Sequence, residues 1–183
     1  MQSDSDIMLL VQAGEISQFE ELVARYRDRL LRFARSRSPH EAAAEDLVQD
    51  VFLAAFQGRH SYSVEFAFST WVWTIALNLS RKQYRQRQRE AQKVEDFARL
   101  PRHTLAESPL QTLTRTHQAN LVHVWLNQIP EQQADAIRLR FFGELSFDDI
   151  ALAMGSSVSG AKRRVKNGLL KLAELHRLSS GEW

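Results

Sequence analysis

Two neighbouring stretches of the chain place polar side chains at helical spacing, and they differ in charge. Between residues 41 and 57 an apolar set at 100° per residue predicts a helix with one broad buried face. The opposite side carries an acidic face, which we call the docking face, made of Asp46, Gln49, Asp50 and Leu53. A leucine among carboxylates is typical of a surface that binds a partner protein. A solvated acidic face with one stray leucine would give the same pattern.

The next predicted helix, from about Phe68 to Arg89, carries a different surface. Its basic stripe, at spacings of three and four, comprises Trp71, Thr74, Asn78, Arg81, Lys82 and Arg85. Aromatic rings stack on exposed bases and cations neutralise phosphates, so this mixture favours nucleic acid. The alternative is that Trp71 belongs to the core and the basic residues only make the helix soluble.

A loop of small, polar and aromatic side chains, residues 58–67, joins these two helices and includes His60 and Tyr62. Loops mounted on rigid helices often carry recognition. This recognition loop, as we call it, offers imidazole, phenol and hydroxyl groups. A plain connector is equally compatible with its composition.

A third motif lies near the end of the chain. Ser146 with Asp149 predicts a capped helix start, Gly155 its end, and Val158 the start of a longer helix burying Ala161, Val165, Gly168, Leu169 and Leu172. Its recognition face carries Ser159, Lys162, Arg163, Lys166 and Asn167. A short helix, a glycine turn and a basic second helix form a helix-turn-helix, whose second helix enters the major groove. Arg164 falls nearer the buried side and is expected to hold a phosphate.

Together these motifs resemble regions 2 and 4 of bacterial sigma factors, in particular the extracytoplasmic-function group. The residues that carry the region 2 resemblance are Asp46, Gln49, Asp50, Phe52, Leu53, Phe68, Trp71, Val72, Ile75, Ala76, Asn78 and Arg85. Those for region 4 are Pro130, Gly143, Asp148, Asp149, Ile150, Ala151, Gly155, Ser157, Lys162 and Arg164. Two departures, Ser159-Gly160-Ala161 for Gly-Thr-Val and Lys82 for an acidic residue, affect promoter preference rather than class.

The resemblance implies an all-α fold of two small helical domains: a region 2 helical bundle at 1–92 and a region 4 helix-turn-helix domain at 113–183. The flexible linker between them, residues 93–112, contains Pro101, Ser108 and Pro109. About 20 residues could span about 65 Å when extended. At the other end, Ser17 with Glu20 predicts a capping box that starts a helix reaching about Arg37.

The function implied by the resemblance is an initiation factor that binds core RNA polymerase and directs it to promoter DNA. The docking face would bind a basic coiled coil of the largest polymerase subunit. The opened minus 10 strand would contact His60, Tyr62, Trp71, Asn78, Arg81, Lys82 and Arg85. The minus 35 duplex would contact Ser159, Lys162, Arg163, Arg164, Lys166 and Asn167. An anti-sigma protein, often membrane-bound in this group, would hold the factor inactive.

Composition argues against other classes of protein. The chain has no cysteine, which fits a reducing cytoplasm and excludes cysteine-ligated metal. Its six histidines lack an i, i+4 pair, and no glycine-rich phosphate loop or nucleophile motif occurs, so we expect no enzyme, cofactor, metal or small-molecule substrate. The apolar run at Ile7 to Val11 lacks a basic flank and is not expected to be a signal peptide. A simple helix-turn-helix regulator would explain the second half but not the docking face or basic stripe.

Overall fold

The computed structural model describes residues 2–38, 40–98 and 116–180, with side chains over 2–38, 40–90 and 121–178. Within these ranges the chain is helical and contains no strand, which confirms the predicted all-α class. The helices are α1 (Asp4–Gln12), α2 (Phe19–Arg37), α3 (Glu41–Gln57), α4 (Phe68–Ala98), α5 (Thr116–Asn127), α6 (Glu131–Phe141), α7 (Phe147–Ala153) and α8 (Val158–Ser180). None of these described helices is both long and apolar enough to cross a membrane.

Local capping signals explain where several helices begin. Ser3 caps α1 by accepting from the Asp6 amide at 3.1 Å. Ser146 caps α7 by accepting from the Asp149 amide at 3.1 Å, as predicted. The predicted capping box of Ser17 and Glu20 is wrong. The short 3₁₀ helix Ile16–Gln18 runs directly into α2, and no side chain caps that helix. A capping side chain needs extended backbone at its own residue, which the preceding turn does not provide.

The first half of the chain packs α2, α3 and α4 around aromatic rings. Phe19 lies on Phe56 with ring centroids 5.4 Å apart, and Tyr26 lies on Phe68 at the same distance. Full burial of such a side chain stabilises the fold by about 1.5–3 kcal/mol. These contacts fix the relative position of α3 and α4, the two helices that carry the docking face and the basic stripe.

Helix α4 is longer than the sequence indicated. It continues to Ala98, so residues 93–98, predicted as the start of the linker, are helical. Strong helix formers such as glutamine, arginine, glutamate and alanine fill residues 85–98, and no breaker occurs before Pro101. The rest of the predicted linker, 99–112, lies outside the described residues.

The second half packs α6, α7 and α8 as a helix-turn-helix. Gly155, at φ +59°, makes the turn between α7 and α8, a conformation that side chains disfavour. Ala161 and Val165 are buried as predicted, but Leu169 is 41% exposed. The close approach to α6 is made instead by Gly168, where an added Cβ would lie 2.6 Å from Cδ1 of Ile137. Leu169 is therefore turned away from α6 towards solvent.

The two halves contact each other through one continuous hydrophobic core. That cluster includes Trp73 from α4 together with Leu139, Leu145 and Ile150 from the second half. The chain turns closely over the indole ring, since a Cβ built at Gly143 would lie 3.2 Å from it and 2.5 Å from the Leu139 carbonyl oxygen. The structure therefore shows the two regions closed on each other.

Candidate nucleic-acid and protein interfaces

The docking face lies in the open on α3. Asp46, Gln49 and Asp50 are exposed, and the side chain of Leu53 is 54% exposed. Asp50 also accepts from Nε2 of Gln83 on α4 at 3.1 Å, which ties its carboxylate to the neighbouring helix. An exposed leucine beside carboxylates offers both an apolar contact and charge attraction to a basic partner.

A groove adjoins the docking face between α2 and α3. It encloses about 240 Å³ and is lined by Val23, Arg27, Leu31, Glu45, Val48, Gln49 and Phe52. The groove places apolar side chains of α2 and α3 beside the docking face. The sequence could not show this groove, because it depends on how α2 packs against α3. A groove of this shape suits side chains from one face of a partner helix.

The basic stripe forms a second groove on α4. The groove has a volume of about 480 Å³ and is lined by Asn78, Arg81, Lys82, Arg85, Gln86 and Arg89. The first four are predicted contact residues, and the structure adds Gln86 and Arg89. Gln86 and Arg89 follow Lys82 and Arg85 at spacings of four, the signal that could have included them. Trp71 is half-buried at the start of the stripe, with its ring 5.4 Å from that of Tyr62.

The recognition loop exposes one of its two predicted contact residues and buries the other. Tyr62 is only 5% exposed, and its hydroxyl donates to the Phe66 carbonyl at 2.9 Å and lies 2.8 Å from Oγ of Ser5. It therefore supports the loop from below and cannot stack on a base in this arrangement. His60 is exposed, as are Val64 at 54% and Phe66 at 46%. Buried and exposed aromatics in an irregular loop cannot be told apart by periodicity.

The recognition face is accessible along the first half of α8. Ser159, Lys162, Arg163, Lys166 and Asn167 are all exposed. Arg164 is half-buried, and its Nε donates to Oε1 of Gln132 at 3.2 Å. It lies in a cleft of about 510 Å³ at the start of α6, lined by Pro130, Glu131, Gln132, Gln133, Arg163, Arg164 and Asn167. This position at the edge of the helix fits a phosphate contact better than a base contact.

A polar cluster that the sequence did not indicate joins the two regions. Asp135 of α6 is fully buried and forms ion pairs with Arg37 of α2 and, at 2.8 Å, with Nε of Arg81. Arg138 is 1% exposed and donates to Oγ and to the carbonyl oxygen of Ser36, both at 3.0 Å. Burial lowers the pKa of Arg138 to about 9, so it remains a cation at neutral pH.

The same interface contains a titratable histidine. Nδ1 of His123 on α5 lies 3.2 Å from the Ser36 carbonyl oxygen, and its neighbours include Asn127, Arg138 and His40. Burial lowers the pKa of His123, the hydrogen bond to Ser36 opposes that shift, and the nearby Arg138 guanidinium lowers the pKa further. The closed arrangement thus favours the neutral imidazole.

We expect acid to open the interface. With the regions apart, the pKa of His123 returns to about 6.5, so the open state binds more protons and the closed state loses stability as pH falls below that value. Small-angle scattering should show the radius of gyration of the full chain rising between pH 7.5 and 5.5. His123→Gln keeps a donor for Ser36 without a titrating ring, and should respond less; an equal response would contradict this role.

Comparisons with known proteins agree with the order of these surfaces. The Sigma-70 region 2 family model matches residues 22–90, and the Sigma-70 region 4 model matches residues 120–172. The chain is 30% identical to the RNA polymerase sigma-H factor of Pseudomonas aeruginosa, over 90% of this chain and 89% of that protein. It is 32% identical to the ECF RNA polymerase sigma factor EcfG of Rhodopseudomonas palustris, over 82% and 80%.

Solved structures show the same fold. The structure of CnrH in complex with the cytosolic domain of CnrY superposes with a TM-score of 0.77, at 23% identity over 97% of this chain and 99% of that one. The sigma factor RpoE of Bartonella quintana, in complex with the anti-sigma factor NepR, gives a TM-score of 0.67 at 27% identity over 87% and 96%. On its sequence, the chain belongs to the sigma-70 family of RNA polymerase sigma factors, in the extracytoplasmic-function group.

Proposed function

We propose that this sigma factor binds core RNA polymerase through the docking face and directs initiation by holding the minus 10 strand with region 2 and the minus 35 duplex with region 4. The observation that carries the proposal is the separation of charge on one chain. The docking face on α3 and the recognition face on α8 are exposed, and so are Asn78, Lys82 and Arg85 of the basic stripe on α4. The acidic docking face suits a basic protein, and the basic stripe and the recognition face suit a polyanion.

The docking face supplies both long-range attraction and a local anchor. Asp46 and Asp50 attract a basic partner surface and raise the rate of encounter. Leu53 and the groove behind it provide apolar contact, which slows dissociation of the complex once it has formed. A basic coiled coil of the polymerase fits this combination because one helix can place cations against the carboxylates and an apolar side chain in the groove.

The basic stripe and recognition loop suit an opened strand. Arg85 and Lys82 can neutralise phosphates, while exposed Phe66 and half-buried Trp71 offer rings to unstacked bases, each stack being worth about 1–3 kcal/mol. Preference for unstacked bases shifts the equilibrium towards melted DNA without bond chemistry. In this proposal Tyr62 positions the loop from beneath, through its contacts with Trp71 and Phe66.

The recognition face suits a duplex. Arg163 and Lys166 extend from α8 into solvent, with Asn167 beside them, and such side chains read base edges and hold phosphates. Arg164, braced by Gln132, can hold a backbone phosphate at the rim of the groove. These contacts would set the register of region 4 on the minus 35 element.

Control by an anti-sigma protein is the second part of the proposal. The RpoE structure that resembles this chain contains the anti-sigma factor NepR. An inhibitor that covers the docking face would prevent polymerase binding. The groove between α2 and α3 is the apolar surface next to that face, and it suits an inhibitor helix as well as a polymerase helix.

The test is affinity for purified core polymerase. Asp50→Arg should weaken binding at least tenfold, about 1.4 kcal/mol, because it places a cation on a face that meets a basic surface. Glu15→Arg makes the same change of charge on an exposed residue outside α3, and should bind as the native chain does. If both variants bind core equally well, the docking face is assigned to the wrong surface. If the native chain binds duplex DNA but never binds core, a simple regulator replaces the proposal.

A further inference from the structure

Region 4 lies along one edge of the basic stripe. Thr70, Trp73 and Arg81 of α4 contact region 4, and their spacing of three and eight places them in one row along the helix. The contacts are Thr70 Oγ1 donating to Asp149 Oδ1 at 2.6 Å, Trp73 packing against Gly143, and Arg81 Nε donating to Asp135 Oδ2 at 2.8 Å. Arg81 belongs both to this row and to the basic stripe, so one of the cations available to DNA is occupied by region 4.

Asp135, which accepts the hydrogen bond from Arg81, has its nearest cationic partners in region 2. Asp135 is 0% exposed, with Oδ2 taken by Arg81 and Oδ1 by Arg37, both from the first half of the chain. The cation on its own helix, Arg138, is farther away at 3.5 Å and directs its hydrogen bonds to Ser36. A buried carboxylate must be paired. The closed arrangement provides those pairs.

The charges of this cluster are unequal. Three guanidinium groups, of Arg37, Arg81 and Arg138, surround one carboxylate, and Glu131 adds a more distant contact to Arg37 at 3.8 Å. Asp135 is therefore what holds the cations of the two regions together. If its charge is removed, the buried arginines repel each other, and separation of the regions returns them to water.

We propose that Asp135 is an autoinhibitory latch: it holds Arg81 and keeps region 4 against the basic stripe, so that the free chain binds single-stranded DNA weakly until the regions separate. The inference rests on the proposed function, since it concerns the surface assigned to the minus 10 strand. A strand phosphate and the Asp135 carboxylate compete for the same guanidinium. The apparent affinity is then the intrinsic affinity multiplied by the open fraction.

The first test measures binding of the full chain, without polymerase, to a fluorescein-labelled single-stranded DNA of mixed sequence. Asp135→Asn keeps the shape and removes the charge, and should tighten binding by about tenfold or more as the open fraction rises. Asp148→Asn removes the same charge from an exposed position in region 4 and should change affinity little. Equal affinities for the two variants would overturn the latch.

The second test crosslinks the two regions in the closed arrangement, and it does not depend on the folding of the Asp135 variant. The native chain has no cysteine, so Thr70→Cys with Asp149→Cys provides a single pair at a contact between the regions. The oxidised protein should bind the same DNA about tenfold more weakly than the reduced protein. Equal binding by the two forms, or failure of the pair to crosslink, would contradict the closed, inhibited state.

Transcription with core polymerase separates this inference from the proposed function. If the native chain supports promoter-dependent transcription while Asp135→Asn and the crosslink leave binding of free DNA unchanged, the latch is wrong and the proposed function stands. If the native chain gives no such transcription, the proposed function fails whatever the binding of free DNA shows. The latch is supported if Asp135→Asn binds the DNA more tightly than the native chain and the oxidised, crosslinked protein binds it more weakly than the reduced protein.

Discussion

Replacement of Trp73 by alanine is expected to lower the free energy of unfolding by about 3–5 kcal/mol, a large part of the stability of a domain this size. Trp73 is fully buried, packs edge to face on Phe33 with ring centroids 5.4 Å apart, and lies beneath Gly143. The cavity would open where the two regions meet, so both should lose stability together. Urea denaturation followed by circular dichroism measures the change.

Two further variants separate cavity formation from a general effect. Trp73→Phe fills more of the space and removes an indole nitrogen that has no hydrogen-bond partner among the described residues, so it should cost much less than alanine. Leu170→Ala changes a side chain that is 61% exposed and should be nearly neutral. If Trp73→Ala costs no more than Leu170→Ala, the core does not join the regions as described.

Reversing two charges on the recognition face should strongly weaken specific binding of the minus 35 duplex. Arg163→Glu with Lys166→Glu is expected to weaken binding about 100-fold or more, because each side chain that no longer binds a base or phosphate costs about 1–3 kcal/mol and the new carboxylates repel the DNA backbone. Both side chains are exposed in the first half of α8, so the fold should tolerate the change. Fluorescence anisotropy with a promoter duplex, in complex with core polymerase, measures the weakening.

The matched control reverses two charges farther along the same helix. Lys171→Glu with Arg177→Glu makes an equal change of net charge at exposed positions of α8 beyond the recognition face. It should reduce affinity only through the general attraction of DNA for cations, which salt screens. An equal reduction from both pairs at moderate salt would mean that α8 acts by charge alone and does not read sequence.

Local patterns predicted much of the fold. The bounds of α3, the capping of α7 and the glycine turn before α8 follow from apolar periodicity and capping residues that lie within a few positions of each other. The start of α2 was missed because Ser17 offered a plausible cap while the chain entered the helix through a 3₁₀ turn. The end of α4 was placed too early, since its basic composition weakened the apolar period but not its helix propensity.

What the sequence could not show depends on contacts between distant residues. Asp135 pairs with Arg37, and Arg138 with Ser36, which are about a hundred residues earlier in the chain, and no local spacing signals such a pair. Burial of Tyr62 depends on Ser5 and Gln12 of α1 packing beneath the recognition loop. The exposed sets on α3, α4 and α8 were found because a helix places every third or fourth residue on one face. Their function as interfaces remains a prediction.

The most direct test of the central claim is promoter-dependent transcription by the purified chain with core RNA polymerase. A chain that binds core through the docking face and promoter DNA through its two basic surfaces should start transcripts at discrete sites. Asp50→Arg should abolish that activity while circular dichroism shows the helices intact, and Glu15→Arg should retain it. The claim would be contradicted if Asp50→Arg gave discrete transcripts in the same yield as the native chain, or if the native chain gave none with active core polymerase.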